Sequence, residues 1–270
     1  MHIDMSKKWL EGKGFLLDIT GVLYDSCGAT GTAIPGSIEA LQLLRQHHVP
    51  FRFITNESTS DRQHLAVKLN TLGFEIGAEE IIAPAPQVVK ILRERGLRPF
   101  LLVKDTVLPE FAGLNTMNPN CVVMGDAQDN FSYENINRAF SVLINLAQPV
   151  LISMGCGRYY KETDGLKMDV GAYCKGLEYA CGIQAEYCGK PDPRFFQAAL
   201  DSLGLESDTV VMVGDDVRND VNGAQKAGMM GVLVQTGKYR TGDEGRGEKR
   251  PDAVMGNLLG VVRAYLDAAK

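Results

Sequence analysis

The chain is poor in several residue types that carry chemistry in other enzymes. It has four histidines and one tryptophan in 270 residues. His2, His47, His48 and His64 lie far from every motif described below, which argues against a histidine metal cluster or a Ser-His-Asp triad. Its six cysteines, at 27, 121, 156, 174, 181 and 188, include no C-x-x-C pair and read as scattered reduced thiols. Cys174, Cys181 and Cys188 are evenly spaced, but Gly182 and Gly189 interrupt the segment, so a shared helical face is not expected. No G-x-S-x-G or G-x-x-x-x-G-K-[ST] occurs, and Gly155-Cys156-Gly157 opens a G-x-G without its last glycine. Positive charge is not in excess. A net charge of −5 argues against an electrostatic grip on nucleic acid or an anionic membrane. No apolar run approaches membrane-spanning length, and MHIDMSKKWLEGKG lacks the apolar core of a signal peptide. A cytosolic or nuclear protein, with neither nucleic acid nor membrane as partner, is expected.

What is present is ordinary for a globular protein: 45% apolar and 23% charged residues, enough for one large core or two modest ones. Gly14-Phe15-Leu16-Leu17 is a short apolar run that ends abruptly at Asp18 and reads as a buried parallel strand. Ser37 is the expected N-cap of a helix with Ile38, Leu41 and Leu44 on one face. Phe51–Thr55 is a second strand, about Asp61 to Leu72 a helix closed by Gly73, and Ile81–Ala83 a third strand before Pro84 and Pro86. The alternation returns after residue 187: helix Pro193–Leu203, strand Thr209–Val213, helix from about Val221 to Ala227, and strand Gly231–Val234. The Gly- and charge-rich stretch Arg240–Arg250 reads as a mobile loop before a terminal helix.

Between these halves lies a second alternating block. Its strands are expected at Phe100–Val103, Cys121–Met124, Val150–Ser153 and Ala185–Tyr187, and its helices at Tyr133–Leu146 and Val170–Cys181. The pattern predicts an α/β protein: a doubly wound parallel, Rossmann-like core sheet (residues 1–87 and 187–270) with an inserted α/β domain (88–186).

In an open parallel sheet, ligands bind beyond the carboxyl ends of strands. Asp18, Thr55-Asn56 and Asp215-Asp216 all sit at such ends, and Lys190 precedes a Pro-Asp-Pro turn. Each also reads singly as a turn, a helix cap or a solvated loop. Their appearance together, in this order, points to phosphoryl transfer. A carboxylate can attack phosphorus to form an acyl phosphate. Two carboxylates in one site, Asp18 and Asp215, call for a cation between them, and Mg2+ prefers oxygen ligands. Thr55 and Asn56 can hydrogen-bond phosphoryl oxygens, and Lys190 supplies a point charge against the anionic transition state.

Asp18-Ile19-Thr20-Gly21-Val22-Leu23, Ile54-Thr55-Asn56, Gly189-Lys190-Pro191 and Gly214-Asp215-Asp216-Val217-Arg218-Asn219-Asp220 resemble the motifs of the haloacid dehalogenase superfamily of phosphohydrolases. The insertion between Asn56 and Lys190 is similar in placement to that family's C2 cap. The resemblance covers nearly the whole chain. It implies Asp18 as nucleophile and metal ligand and the Thr20 main-chain carbonyl as a further ligand. Asp215 would bind Mg2+, and Ile19, Thr20, Thr55, Asn56 and Lys190 would hold the phosphoryl group. The second acid of the last motif matches Asp216 or Asp220, and the choice stays open. The longer stretches GVLYDS, FITNES, GRYYKET and LEYACGI resemble a branch of the superfamily that hydrolyses P–N bonds of phosphohistidine and phospholysine and the P–O–P bond of pyrophosphate, as a homodimer in cytosol and nucleus.

One departure from the family matters. Most of its phosphatases carry an acidic general acid and base two residues after the nucleophile, where this chain has Thr20. Thr20 would favour leaving groups that need little protonation, such as an imidazole or a phosphate. The other view is that Thr20 packs, and water or Asp25 serves. In the insert, Arg158 and Lys161 within Gly155–Glu162 are expected on a loop suited to an anionic or aromatic leaving group. Cys27, after the first strand, is either oxidation-sensitive or an inert small residue. Two other readings stay open. One is a phosphomonoesterase for nucleotides, phosphoglycolate or pyridoxal phosphate, and the other a scaffold that has lost turnover.

Overall fold

The computed structural model describes residues 5–26, 31–162 and 165–268. The chain divides into two compact units, one of residues 1–55, 66–82 and 190–270 and another of 56–65 and 83–189.

The first unit is built on six parallel strands in the spatial order Ala253–Met255, Met230–Val234, Val210–Gly214, Gly14–Leu17, Phe51–Ile54, Ile81–Ile82. Chain order reverses beside Gly14–Leu17: the next strands are laid down on one side of it, the later ones on the other. Such a reversal opens a crevice at the strand ends. Every residue of Gly14–Leu17 and Val210–Gly214 is buried, because helices cover both faces and leave no polar side. Register and alternation identify the faces. Phe15 pairs with Phe51; the Phe15 ring meets Tyr265 of the terminal helix Leu258–Ala268, and Arg45 of the helix Ser37–Gln46 lies over Phe51. Leu16 pairs with Arg52 on the opposite face, where Arg52 Nε donates to Ser202 Oγ of the helix Pro193–Leu203 at 3.0 Å.

Three local expectations are corrected. Gly36, at φ 84°, is the N-cap of Ser37–Gln46. Ser37 is buried inside the first turn, its hydroxyl donating to Leu23 O at 2.8 Å and Ile34 O at 2.7 Å. Pro84 opens a helix, Pro84–Glu94, rather than only ending the strand before it, since the first helical position needs no N–H. The Arg240–Arg250 stretch is tied down: Asn222 Nδ2 donates to Lys249 O at 2.7 Å, Gln225 Nε2 to Arg250 O at 2.9 Å, and Tyr239 Oη to Glu244 at 2.9 Å.

The second unit has its own parallel sheet, ordered Glu186–Tyr187, Leu151–Ser153, Cys121–Met124, Pro99–Leu102. Its core joins Val122, Met124 and Leu151 to Ala139 and Leu143 of the helix Tyr133–Ile144, and to Cys174 and Leu177 of the helix Val170–Cys181. Cys174 and Cys181 do share a helix face, since Gly182 ends the helix only after both; Cys188 lies beyond the next strand. Part of the expected Gly155–Glu162 loop is a strand: Tyr159–Glu162 pairs antiparallel with Gly165–Met168.

Candidate active site

Asp18 and Asp215 follow two adjacent strands, so parallel pairing of Leu17 with Val213 and of Phe15 with Val211 brings the two carboxylates to the same edge. Both are buried. A third acid joins them from a less obvious place. After Asp215, Val217–Asn222 forms a single π-type turn that runs into the helix Gly223–Lys226, and this wider turn carries Asp220 back to the strand ends. Asp18, Asp215 and Asp220 each offer an oxygen within 4.8 Å of the others, and among the described residues no other trio of His, Cys, Asp or Glu comes together this way. A Cβ on Gly214 would overlap Asp220, so only glycine admits this approach.

Lys190 closes the group. Its Nζ donates to Asp18 Oδ1 at 2.6 Å and to Ile54 O at 3.2 Å, and forms an ion pair with Asp220 Oδ1 at 2.8 Å. Burial alone would lower the Lys190 pKa, but Asp18 and Asp220 outweigh it and raise it, so the ammonium persists.

The two candidates for the second acid separate cleanly. Asp216 caps the turn that follows it: Oδ1 accepts from Arg218 N at 2.9 Å and Asn219 N at 3.0 Å, and Oδ2 from Asn219 Nδ2 at 2.7 Å. Burial would raise its pKa, yet the Lys238 charge, 3.1 Å away, and these hydrogen bonds lower it to about 2. Asp220 instead accepts the Asp216 N–H at Oδ2, 3.0 Å, with Oδ1 turned to Lys190.

The cluster is short of positive charge. Three carboxylates face one buried ammonium, which pairs with Asp18 and Asp220, and Asp215 Oδ1 accepts no hydrogen bond. Burial first, opposed by Lys238 and reinforced by Asp18 and Asp220, raises the Asp215 pKa to about 8. Burial and then Asp18 raise that of Asp220 to about 6. The orphaned Asp215 Oδ1, in a hard, all-oxygen donor set, fits a divalent cation such as Mg2+.

Other expected residues fall as follows. Ile19 is buried, and its carbonyl accepts from Leu23 N at 2.9 Å, closing the turn after Asp18. Thr20 is exposed. Thr55 is buried and spends its N–H on Ile82 O at 3.0 Å. Asn56 begins the second unit, packed against Gly189, whose φ of 143° and missing side chain make room for the Asn56 amide. Arg158 is exposed in the second unit, and Lys161 lies on its strand Tyr159–Glu162 with its side chain outside the description. Cys27 lies outside the described residues.

A strap that the sequence reading passed over backs the cluster. Thr236 Oγ1 donates to Gly21 O at 2.6 Å, and the Lys238 N–H to Asp215 Oδ2 at 2.7 Å. Gly21 and Gly237 have φ of 91° and 60°, and a Cβ on either would overlap Asp215. The available signal was Thr236-Gly237-Lys238 just beyond the strand Met230–Val234.

Residues 15–117 match the family model for haloacid dehalogenase-like hydrolases, and residues 187–261 a HAD-hydrolase-like model. A Xenopus laevis protein named phospholysine phosphohistidine inorganic pyrophosphate phosphatase is 53% identical over 260 residues, covering 96% of each chain. The chain belongs to the haloacid dehalogenase-like hydrolases. The human protein of the same name as the Xenopus one is 52% identical over 257 residues, covering 95% of each chain. Among solved haloacid dehalogenase-like hydrolases, 4-nitrophenylphosphatase from Thermotoga maritima superposes with a TM-score of 0.86. It is 25% identical, and the match covers 96% of this chain and 99% of that one. The chain is therefore a hydrolase, with the doubly wound α/β core of its relatives.

Proposed function

We propose that this hydrolase is a phosphatase that passes a phosphoryl group through Asp18 and acts on phosphohistidine, phospholysine and inorganic pyrophosphate. The observation that carries the reading is the ion pair of Lys190 with both Asp18 and Asp220, beside Asp215, at the point where strand order reverses. The relatives' names support the substrate class.

The Asp18 carboxylate attacks phosphorus while the P–N or P–O bond to the leaving group breaks. Lys190 keeps the carboxylate aimed and offsets charge on the phosphoryl oxygens. The Thr55 hydroxyl and the Asn56 amide would hold those oxygens. Asp18, the Thr20 carbonyl and Asp215 would hold Mg2+, with Asp220 as the supporting acid. Mg2+ would supply electrostatic compensation for the carboxylates and polarise the phosphoryl group. Water then attacks phosphorus, and inorganic phosphate leaves with Asp18 restored. Thr20 is a weaker proton donor than a carboxylic acid, which suits an imidazole or phosphate leaving group.

In this proposal residues 88–186 form the cap of the family, and Arg158 and Lys161 are its candidates for binding the leaving group. The homodimer and the cytoplasmic and nuclear location belong to the same proposal. No described helix is long and apolar enough to cross a membrane.

The test is release of phosphate from phosphohistidine, phospholysine and pyrophosphate with and without Mg2+, in wild type and in Asp18→Asn. Turnover that needs Mg2+ and falls by about 10⁴-fold or more in the variant supports the proposal. Hydrolysis that survives chelation, or a phosphoryl label trapped on another side chain, overturns it. A phosphomonoester preferred over all three substrates would favour the phosphomonoesterase reading, for which the 4-nitrophenylphosphatase likeness speaks.

A further inference from the structure

Thr20 does not stand alone. Its Oγ1 lies 3.5 Å from Tyr24 Oη, and Lys68 Nζ lies 3.3 Å from the same phenol oxygen. All three residues belong to the first unit. The turn closed on the Ile19 carbonyl places residue 24 beside residue 20, and the two form an isolated backbone bridge. The Tyr24 ring is buried at 2% exposure, with the Lys68 ammonium 4.8 Å from its centroid, while Thr20 and Lys68 are exposed.

We infer that Tyr24 and Lys68 are positioning residues that make the Thr20 hydroxyl a proton donor to the leaving group. The inference rests on the reading of Asp18 as nucleophile, since it is Thr20's place two residues on that brings it to the chemistry. Between two hydroxyls either can donate, but an ammonium only donates. Lys68 therefore points a proton at Tyr24 Oη, which turns the Tyr24 O–H toward Thr20 Oγ1 and leaves the Thr20 O–H to point elsewhere. Each bond polarises the next. As the P–O or P–N bond breaks, the leaving atom takes the Thr20 proton, and Thr20 takes the proton of Tyr24. Tyr24 takes one from Lys68, and solvent reprotonates the exposed amine.

A phenol that merely fills a core pocket would show none of this dependence on the leaving group. The experiment compares turnover of 4-nitrophenyl phosphate, whose leaving group needs no proton, with that of a primary-alkyl phosphate, whose leaving group does. Tyr24→Phe and Lys68→Met are each expected to raise the aryl-to-alkyl ratio about ten-fold, a fraction of the ~10²–10⁴ that positioned acid–base help supplies. Lys68→Arg, which keeps the charge and the donors, is expected to return the ratio toward wild type. In a Thr20→Val background, Tyr24→Phe is expected to change the ratio no further, because the chain is already cut. Lys68 is on the surface, so its variants test the chain even if Tyr24→Phe folds poorly. An unmoved ratio in the Lys68→Met variant, or effects of Tyr24→Phe and Thr20→Val that simply multiply, would overturn the inference while the phosphatase reading stands. No turnover of these esters, of phosphohistidine or of pyrophosphate by the wild-type enzyme would overturn both.

Discussion

Gly237 lies so close to Asp215 that a methyl group on its Cα would overlap Oδ2, the oxygen that accepts the Lys238 N–H at 2.7 Å. One face of the Asp215 carboxylate is thereby held by backbone, which leaves Oδ1, without a hydrogen bond, as the oxygen available to a cation. Gly237→Ala is expected to strain the φ of 60° by about 1–2 kcal/mol and to displace the carboxylate. The Mg2+ concentration for half-maximal turnover should rise by roughly 10–100-fold. Magnesium titrations of activity, with thermal melting as the check on folding, read both effects. A variant with an unchanged magnesium requirement would show that the strap does not set the carboxylate.

Stability should depend on pH in opposite ways with and without the cation. Asp220 and Asp215 have pKa values of about 6 and about 8, above that of an exposed carboxylate. A carboxyl raised in the folded state favours folding while protonated, and that contribution is lost as pH rises through the folded value. In chelator, the melting temperature should therefore fall between about pH 4 and about pH 8 for these groups. Magnesium binds the ionised forms and should restore it most strongly at the alkaline end. Asp216, lowered to about 2, works the other way only near pH 2–4. Melting curves across pH, with and without Mg2+, would show it; parallel profiles would sink the idea.

Lys190→Met keeps the volume and removes the charge. It leaves Asp18 and Asp220 buried without their shared ammonium, which should cost roughly 3–5 kcal/mol in urea unfolding and abolish turnover. Adding Asp220→Asn should recover part of the stability and none of the activity. A loss below about 1 kcal/mol in the single variant would mean that the ammonium is not the compensating charge.

Thr20→Asp places a carboxylic acid where most of the family's phosphatases have one. Turnover of a sugar phosphate should rise relative to that of phosphohistidine, by about ten-fold within the ~10²–10⁴ range of acid–base assistance. Equal changes for both substrates would remove Thr20 as the reason for a preference for P–N bonds.

The main elements of the fold were legible because Gly14–Leu17 and Val210–Gly214 are apolar throughout and stop at an aspartate, as burial on both faces requires. What the letters hid were local choices between near-equal alternatives. Ser37 is a good N-cap by type, but Gly36 alone takes a φ of 84°, so the cap moved back one residue. Pro84 stops a strand and starts a helix with the same missing N–H. The charged stretch after Tyr239 looked loose because the side chains that tie it, Asn222 and Gln225, lie more than twenty residues earlier.

The site divides along the same line. By itself the sequence determined which strand ends carry Asp18, Thr55 and Asp215, because an apolar run long enough to cross the core must end where the solvent-facing edge begins. Only the tertiary structure brings Asp220, and not Asp216, together with Asp18 and Asp215. That depended on a π-type turn and on Gly214 leaving room for Asp220, while Asp216 spends its oxygens capping. It also decided that Lys190, Thr236, Lys238 and Lys68 meet partners far away in the chain. Side chains separated by many residues are brought together by sheet order and close packing, which no local pattern of residue types encodes.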